Sequence, residues 1–535
     1  MFDRLVDGVS AALWNLEPSE AVYLGKHEYD GVVPELTEEF IGAQVDRLHG
    51  LRERLAGLDG LDADQAFDRR QLTAAIDTAL IDWDRIAWWR GNPMAPIRML
   101  DVTLYLTRDY APFPHRAEAA AEVLDAAPRL LEQAKACAGG EVPGVFGEWA
   151  IRMSAGLADS LDNLPAQLAG EDPLAAGSLV DAGRSAAAAL RDYVAWIETE
   201  VMPAAGGDFA VGGDVLEAML RDGELVDLDL DELLAMGEAD LAGNVEALGE
   251  AAAGIDPGLS PSEVYARHVA SVHAPGGDLV TAAREMLEGI RSFLVGRDLI
   301  TIPSEVRARV DATPEHMRWA FAMMSTPGPY ETEATEAYYY VTPVDPSWDE
   351  DQAREWLNAL NVYALDDISV HEAYPGHYVH FLHYDHAPTE VSKRVASYAF
   401  TEGWAHYVEQ MMWEEGYRGG DPRFRMAQLT EALVRNCRFV AAIKMHAYGM
   451  TLDEATGLFK EYALYEETPA RTEAERGAFD PGYYSYTLGK LQILRLRDDV
   501  QAAEGAGFSL KSFHDRLLSR GAPPVEMMRD VLVPS

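Results

Sequence analysis

The stretch HEAYPGHYVH, residues 371–380, brings imidazoles and a carboxylate together within a few positions. Such residues can bind a metal ion and move a proton, because neutral imidazole nitrogens are ligands and an adjacent carboxylate is a base. In the HExxH arrangement the two histidines stand four apart on one helical face. Here the fourth position after His371 is Pro375, and the next histidine, His377, comes two residues later. On an undistorted helix, residues six apart are turned by about 120° and separated by about 9 Å along the axis, too far for one ion. Pro375 lacks the N–H that would bond the carbonyl of His371, and Gly376 accepts dihedrals closed to other residues. Two outcomes stay open. Either two residues loop out and His377 returns to a ligand position, or Pro-Gly ends one helix and His377 begins another.

A third donor follows downstream. In VASYAFTEGWAHYVEQMMWEE (395–415) helical spacing puts Glu402, His406 and Glu409 on one face. Glu402 stands among Tyr398, Phe400, Trp404 and small residues, where an unpaired carboxylate is costly and a metal would supply the pairing. Two histidines, one glutamate and an open fourth position form a catalytic zinc set, whereas structural zinc is closed by four protein ligands. Six of the fourteen histidines lie between His371 and His406, but His383, His386 and His406 read as neighbours of the site or surface residues.

The elements that must position these groups are mostly helical. Up to about residue 300 apolar residues recur at helical spacing, as in FDRRQLTAAIDTALIDWDRIAWW (67–89) and AAREMLEGIRSFLV (282–295). Between 299 and 343 the runs LITIP, EVRARV, WAFAMM and EAYYYV are short and β-rich, which predicts a small sheet directly before the metal motif. Helical periodicity then returns in DEDQAREWLNALN and continues to the end. The expected organisation is a helical half over 1–298 that forms cleft walls and a catalytic half over 299–535, joined as one integrated unit. DLDLDELLAMGE (227–238) imitates a calcium loop, but Glu232 occupies the position that needs glycine, so a helix start is expected there.

Composition narrows the partners. Hydrophobic residues at 48% and charged residues at 25% suit a soluble globular protein, without an apolar run long enough for a membrane span. The acidic N-terminus lacks the apolar stretch of a secretory signal, so the cytoplasm is the expected compartment. Cys137 and Cys437 make neither a disulfide framework nor a thiolate cluster, and each is expected as a buried small side chain. A net charge of −45 repels phosphate backbones and anionic headgroups, which argues against nucleic acid and membrane partners.

HEAYPGH (371–377), TEGWAHY (401–407), KMHAYGMTLDEA (444–455), ARTEAERGAFDPGYYSYTLGKLQI (470–493) and the opening WNLEPSEAVYLGKHEYDG (14–31) resemble the bacterial domain-of-unknown-function family 885. Members of that family resemble the gluzincin metallopeptidases, and the likeness covers nearly the whole chain. It implies a mainly α, zincin-like fold with a small sheet beside the metal helix. It also implies zinc on His371, His377 and Glu402, with Glu372 as general base. Many relatives carry glutamine where this chain has His380, so His380 is not expected as a ligand; some carry aspartate at the position of Ala442. Membership names no substrate.

Zinc on three protein ligands lowers the pKa of a bound water to about 7, and a carboxylate beside it takes the proton as water attacks a carbonyl. The oxyanion then needs donors, for which Tyr486 is the first candidate, followed by His446 and Tyr484. EAYYYV (337–342), with Tyr339, is expected as an edge strand that pairs with an extended peptide. Arg438, Lys444, Arg476 and Lys490 are cations available for a terminal carboxylate, with Arg476 and Lys490 as the chosen pair. The expected function is a zinc-dependent metallopeptidase acting on short peptides in a cleft between the helical halves. A zinc hydrolase of another amide or ester is the second reading. The third is a non-catalytic helical metal-binding protein, which has no use for Glu372.

Overall fold

The computed structural model describes residues 1–314, 317–318, 320–384 and 386–533. The chain is mainly helical, with a three-stranded sheet among the described residues. It divides into two units, residues 1–211 with 327–335, and residues 212–326 with 336–535.

In the first unit the helix Pro173–Trp196 packs against Phe113–Asp125 and Gly144–Asp162. Its alanine-rich stretch buries Leu179, Ala186, Leu190 and Tyr193, and small residues allow the axes to approach closely. The segment 327–335 belongs to this unit through the HEYDG part of the opening motif. The His27 ring stacks on Tyr110 at 3.7 Å, and its two nitrogens face Asp30 and Glu331 at 3.1 and 3.0 Å. Gly25, at φ +88, lets the backbone pass Glu331, where a Cβ would meet the amide nitrogen at 2.5 Å.

The second unit begins well before the expected boundary at 298–299. The physical reason lies in α1 (Leu230–Ile255), whose Asp240 accepts from Lys490 Nζ at 2.6 Å and from Asn436 Nδ2 at 2.7 Å. These bonds commit α1 to the helices around the metal motif. Asp229 caps α1 reciprocally with Glu232, as the helix-start reading of the acidic run requires.

The sheet consists of β1 (Arg309–Ala312), β2 (Ala322–Ser325) and β3 (Tyr338–Val341) in the order β1-β3-β2. β1 runs parallel to β3, and β2 antiparallel to it. Two expectations are corrected here. LITIP forms no strand, because the Thr301 amide and hydroxyl go to the Asp515 carboxylate at 2.8 and 2.7 Å. EAYYYV is the central strand, and Tyr339 is fully buried with its hydroxyl 3.0 Å from that of Ser369, so neither can serve as a peptide-binding edge. Trp319, the first residue of the WAFAMM run, lies outside the described residues.

The remaining helices that build the site are α2 (Val362–Glu372), α3 (His377–Tyr384), α4 (Tyr398–Glu414), α5 (Pro422–Ala447), α6 (Glu467–Phe479) and α7 (Ser485–Glu504). α4 and α7 meet backbone to backbone at Gly403 and Gly489. A Cβ on Gly403 would lie 2.4 Å from the Gly489 Cα, and one on Gly489 would lie 1.8 Å from the Ala399 carbonyl oxygen. Only glycine fits at this crossing.

Candidate metal centre

Asn361 caps α2 by accepting from the amides of Tyr363 and Ala364, and the helix then runs to Glu372 and stops. It restarts at His377, so the ladder does not bulge; it breaks. Two bonds carry it across the gap: Gly376 N–H to the Val370 carbonyl at 3.1 Å and Val379 N–H to the Ala373 carbonyl at 3.3 Å. Each spans six residues where an α-helix spans four, and this wide turn absorbs the two extra residues. Gly376 is required because a Cβ there would lie 1.6 Å from the His371 carbonyl oxygen. The Tyr374–Pro375 peptide is cis. Trp404 Nε1 donates to the Pro375 carbonyl at 3.0 Å and ties the break to α4.

The two imidazoles therefore meet after all, with ring centroids 4.9 Å apart and planes at 88°. Glu402 completes the group. Its Oε2 lies 3.5 Å from His371 Nε2 and 3.6 Å from His377 Nε2, and one donor atom from each residue falls within 4.8 Å of the others. Donors about 2.0–2.1 Å from a tetrahedral ion are about 3.4 Å apart, so these separations suit one shared ion with little movement. Among the described residues the buried Oε2 of Glu402 has no hydrogen-bond partner. A buried carboxylate oxygen in that state is costly unless a cation stands beside it. The donor set of two imidazoles and one carboxylate fits zinc.

The electrostatics point the same way. Burial opposes the charge of Glu402, but His377 and His371 hold its carboxyl well below the usual range. Burial would likewise lower the pKa of His371, but Glu402 and Glu409 raise it to about 10. The pocket between these side chains calls for positive charge.

Behind His371 lies a second layer. His371 Nδ1 is 2.6 Å from Glu409 Oε1, His406 Nδ1 is 3.0 Å from Glu409 Oε2, and Arg435 reaches Glu409 at 3.2 Å. Glu409 is buried, yet Arg435 and His406 hold its carboxyl well below the usual range. A carboxylate on Nδ1 holds a proton there, so Nε2, which faces Glu402, is the nitrogen that would bind a cation once its own proton leaves. Helical spacing alone had put Glu409 on the Glu402 face without giving it this role. Asp367 is a fully buried group that sequence reasoning missed; burial and the charge of Glu409 raise its pKa. Its signal was its place one turn before His371. Arg435 is a second missed group, and no local signal links it to a motif that begins 64 residues earlier. Glu409→Gln is expected to weaken zinc affinity about 10- to 100-fold, read by competition with a chelator; unchanged affinity would remove this orienting role.

Glu372 reaches the sheet, where its Oε2 accepts from the Met324 amide at 2.9 Å. The Thr342 amide donates to the Phe321 carbonyl at 2.9 Å, so by antiparallel alternation Ala322 and Met324 turn their backbone groups away from β3. The open edge beside the motif is thus β2.

The remaining candidates separate by geometry. Tyr486 shares a 2.9 Å hydrogen bond with the hydroxyl of Tyr398, which stands one turn before Glu402. Tyr484 is buried at the start of α7. His446 stays out of the cluster: it lies eleven residues, about 16 Å of helix, beyond Arg435, and its Nε2 meets the Gly477 carbonyl at 2.8 Å. Lys490 is also corrected, since its ammonium is buried and bound to Asp240. Arg438 grips Glu473 with two bonds of 2.8 and 2.9 Å, and Lys444 pairs with Glu238 at 2.6 Å. Arg476 lies over the Tyr483 ring at 4.8 Å. His380 Nε2 meets the Gly521 carbonyl at 3.3 Å, and burial lowers its pKa to about 3. His383 meets the Thr301 carbonyl at 3.0 Å, and His386 is exposed. Cys437 is buried as expected, whereas Cys137 is partly exposed.

The profile of a family described as a bacterial protein of unknown function, DUF885, matches residues 18–532. Two solved structures share the fold. One, described as a candidate lipoprotein of unknown function from Shewanella oneidensis, has 21% identity and a TM-score of 0.82 and covers 99% of either chain. The other, described as a candidate lipoprotein from Colwellia psychrerythraea, has 18% identity and a TM-score of 0.81 and covers 99% of this chain and 98% of its own. No curated protein matches the chain. Among the described residues no helix is long and apolar enough to cross a membrane.

Proposed function

The chain belongs to the bacterial family of unknown function DUF885, and from the residues at its centre we propose a zinc-dependent hydrolase of short peptides. The observation that carries the reading is the convergence of His371, His377 and Glu402 around a buried carboxylate oxygen without a hydrogen bond. A zinc ion held there would act as a Lewis acid and lower the pKa of a water to about 7.

The chain's own residues do the rest. Glu372 follows the ligand His371 directly and takes the proton of the attacking water. The Met324 amide holds the Glu372 carboxylate, and the same edge offers backbone groups of Ala322 and Met324 to an extended peptide. A peptide paired there competes for the Met324 N–H and releases the base for proton transfer. Tyr486 and Tyr398 offer hydroxyl donors to the developing oxyanion. A phenol keeps its proton at neutral pH, so these hydroxyls are available as donors. The histidine-bearing helix beside an antiparallel edge strand, with the third donor on the next long helix, supports the zincin-like reading of the fold.

Zinc analysis of the purified protein together with digestion of an unbiased peptide mixture tests the proposal. About one zinc per chain is expected, with cleavage lost on chelation and restored by added zinc. Zinc-loaded protein inert on every peptide would overturn the peptide assignment. Cytoplasmic localisation is part of the proposal, and recovery from a membrane or periplasmic fraction would end that part.

A further inference from the structure

We infer that Arg476 holds the free C-terminal carboxylate of the peptide, so that the protein acts near chain ends; this rests on the hydrolase reading of the metal centre. Among the described residues, the other cations around Tyr483 and Tyr486 are held by close carboxylates, and Arg476 has only a longer ion pair. Arg435 faces Glu409 and Glu431 at 3.2 and 3.4 Å, Arg438 holds Glu473 with two bonds, and Lys490 is bound to Asp240. Arg476 differs. Its nearest carboxylate oxygen, on Asp480, is 3.6 Å away, and among the described residues its donors make no hydrogen bond.

The position of Arg476 links it to the metal donors. Its guanidinium lies 4.8 Å from the Tyr483 ring centre, and Arg438 lies 5.1 and 5.3 Å from the rings of Tyr483 and Tyr486. Tyr486 meets Tyr398 through their hydroxyls, and Tyr398 is one turn from Glu402. Arg476 thus stands at the far end of a row of rings that starts at the metal donors.

The chemistry fits a carboxylate. A guanidinium presents a planar fork of N–H donors that matches both oxygens of a carboxylate, and a ring stacked on its face leaves the edge of the fork open. Solvent reaches about a third of the side chain, at 35% relative exposure, so the fork is accessible without being a fully solvated surface group. In a chain of net charge −45, a cation with no hydrogen-bonded counter-ion at the end of this row gives an anionic chain end a specific place to bind.

The test uses matched peptides that differ only in ending as a free acid or an amide, assayed with the full-length zinc-loaded protein. The acid is expected to have a kcat/KM roughly 10- to 100-fold higher, mostly through KM. Arg476→Gln should erase that preference, while Arg476→Lys should keep part of it, since a point charge attracts without the fork. Circular dichroism and zinc content check that both variants fold, and acetylation of the peptide N-terminus should change nothing. Equal rates for acid and amide with the wild type, or a preference that survives in Arg476→Gln, would overturn the inference. Failure of the hydrolase reading shows separately, by titrating both peptides calorimetrically into Glu372→Gln protein. Tighter binding of the acid, lost when Arg476→Gln is added, supports the anchor even if no peptide is cleaved; equal affinities rule it out.

Discussion

Glu372→Gln is expected to retain zinc and folding while losing about 10²- to 10⁴-fold in hydrolysis. Glutamine keeps the size of the side chain and an oxygen that can accept from Met324 N–H, so the contact that places Glu372 beside β2 survives. What disappears is the capacity to take a proton. Because Glu372 is not among the three converging donors, metal content should not change. The comparison needs kcat/KM on one peptide together with zinc per chain for both proteins. Undiminished turnover in the variant would show that another group removes the proton.

The second large effect separates two histidines three residues apart. His377→Ala removes a donor 3.6 Å from the Glu402 carboxylate and should take the protein from about one zinc per chain to nearly none, because two remaining donors hold the ion poorly. His380→Ala should keep the ion. His380 faces the Gly521 carbonyl, stacks near Phe381 and Phe400, and is fully buried, so its loss costs about 1–3 kcal/mol of stability through an unpaired carbonyl and a cavity. Elemental analysis and thermal melting of the two variants decide the matter. The reverse zinc contents would mean that the wide turn does not deliver His377 to the site.

The three side chains that converge were legible in the sequence because each sits in a local pattern: a histidine and glutamate pair, a Pro-Gly interruption, and a glutamate on an apolar helical stretch. Helix content was legible for the same reason, since periodicity is local. What escaped depended on distant partners. EAYYYV carried every mark of a strand, but only the pairing of β1 and β2 on its two sides made it central and handed the open edge to Ala322–Ser325. Lys490 looked available until α1, 250 residues earlier in the chain, supplied Asp240. His446 sits in a stretch that resembles the family, yet the length of α5 carries it about 16 Å beyond Arg435 to a backbone carbonyl. The unit boundary moved from 298 to 211 because α1 is joined to α5 and α7 by side chains that no window of sequence contains.

The glycine crossing of α4 and α7 limits how this protein can be redesigned. Gly403 sits next to Glu402, and Gly489 lies one turn after Ser485 and three residues after Tyr486, so the crossing acts as a fixed spacer between the Glu402 carboxylate and the Tyr486 hydroxyl. Alanine at either glycine would push the helices apart or strain them at a cost of about 1–3 kcal/mol, and would move Glu402 and Tyr486 relative to each other. Libraries meant to alter substrate range should therefore leave Gly403 and Gly489 untouched and vary the half-exposed positions around Arg476 and the β2 edge, where side chains can change without resetting that spacing.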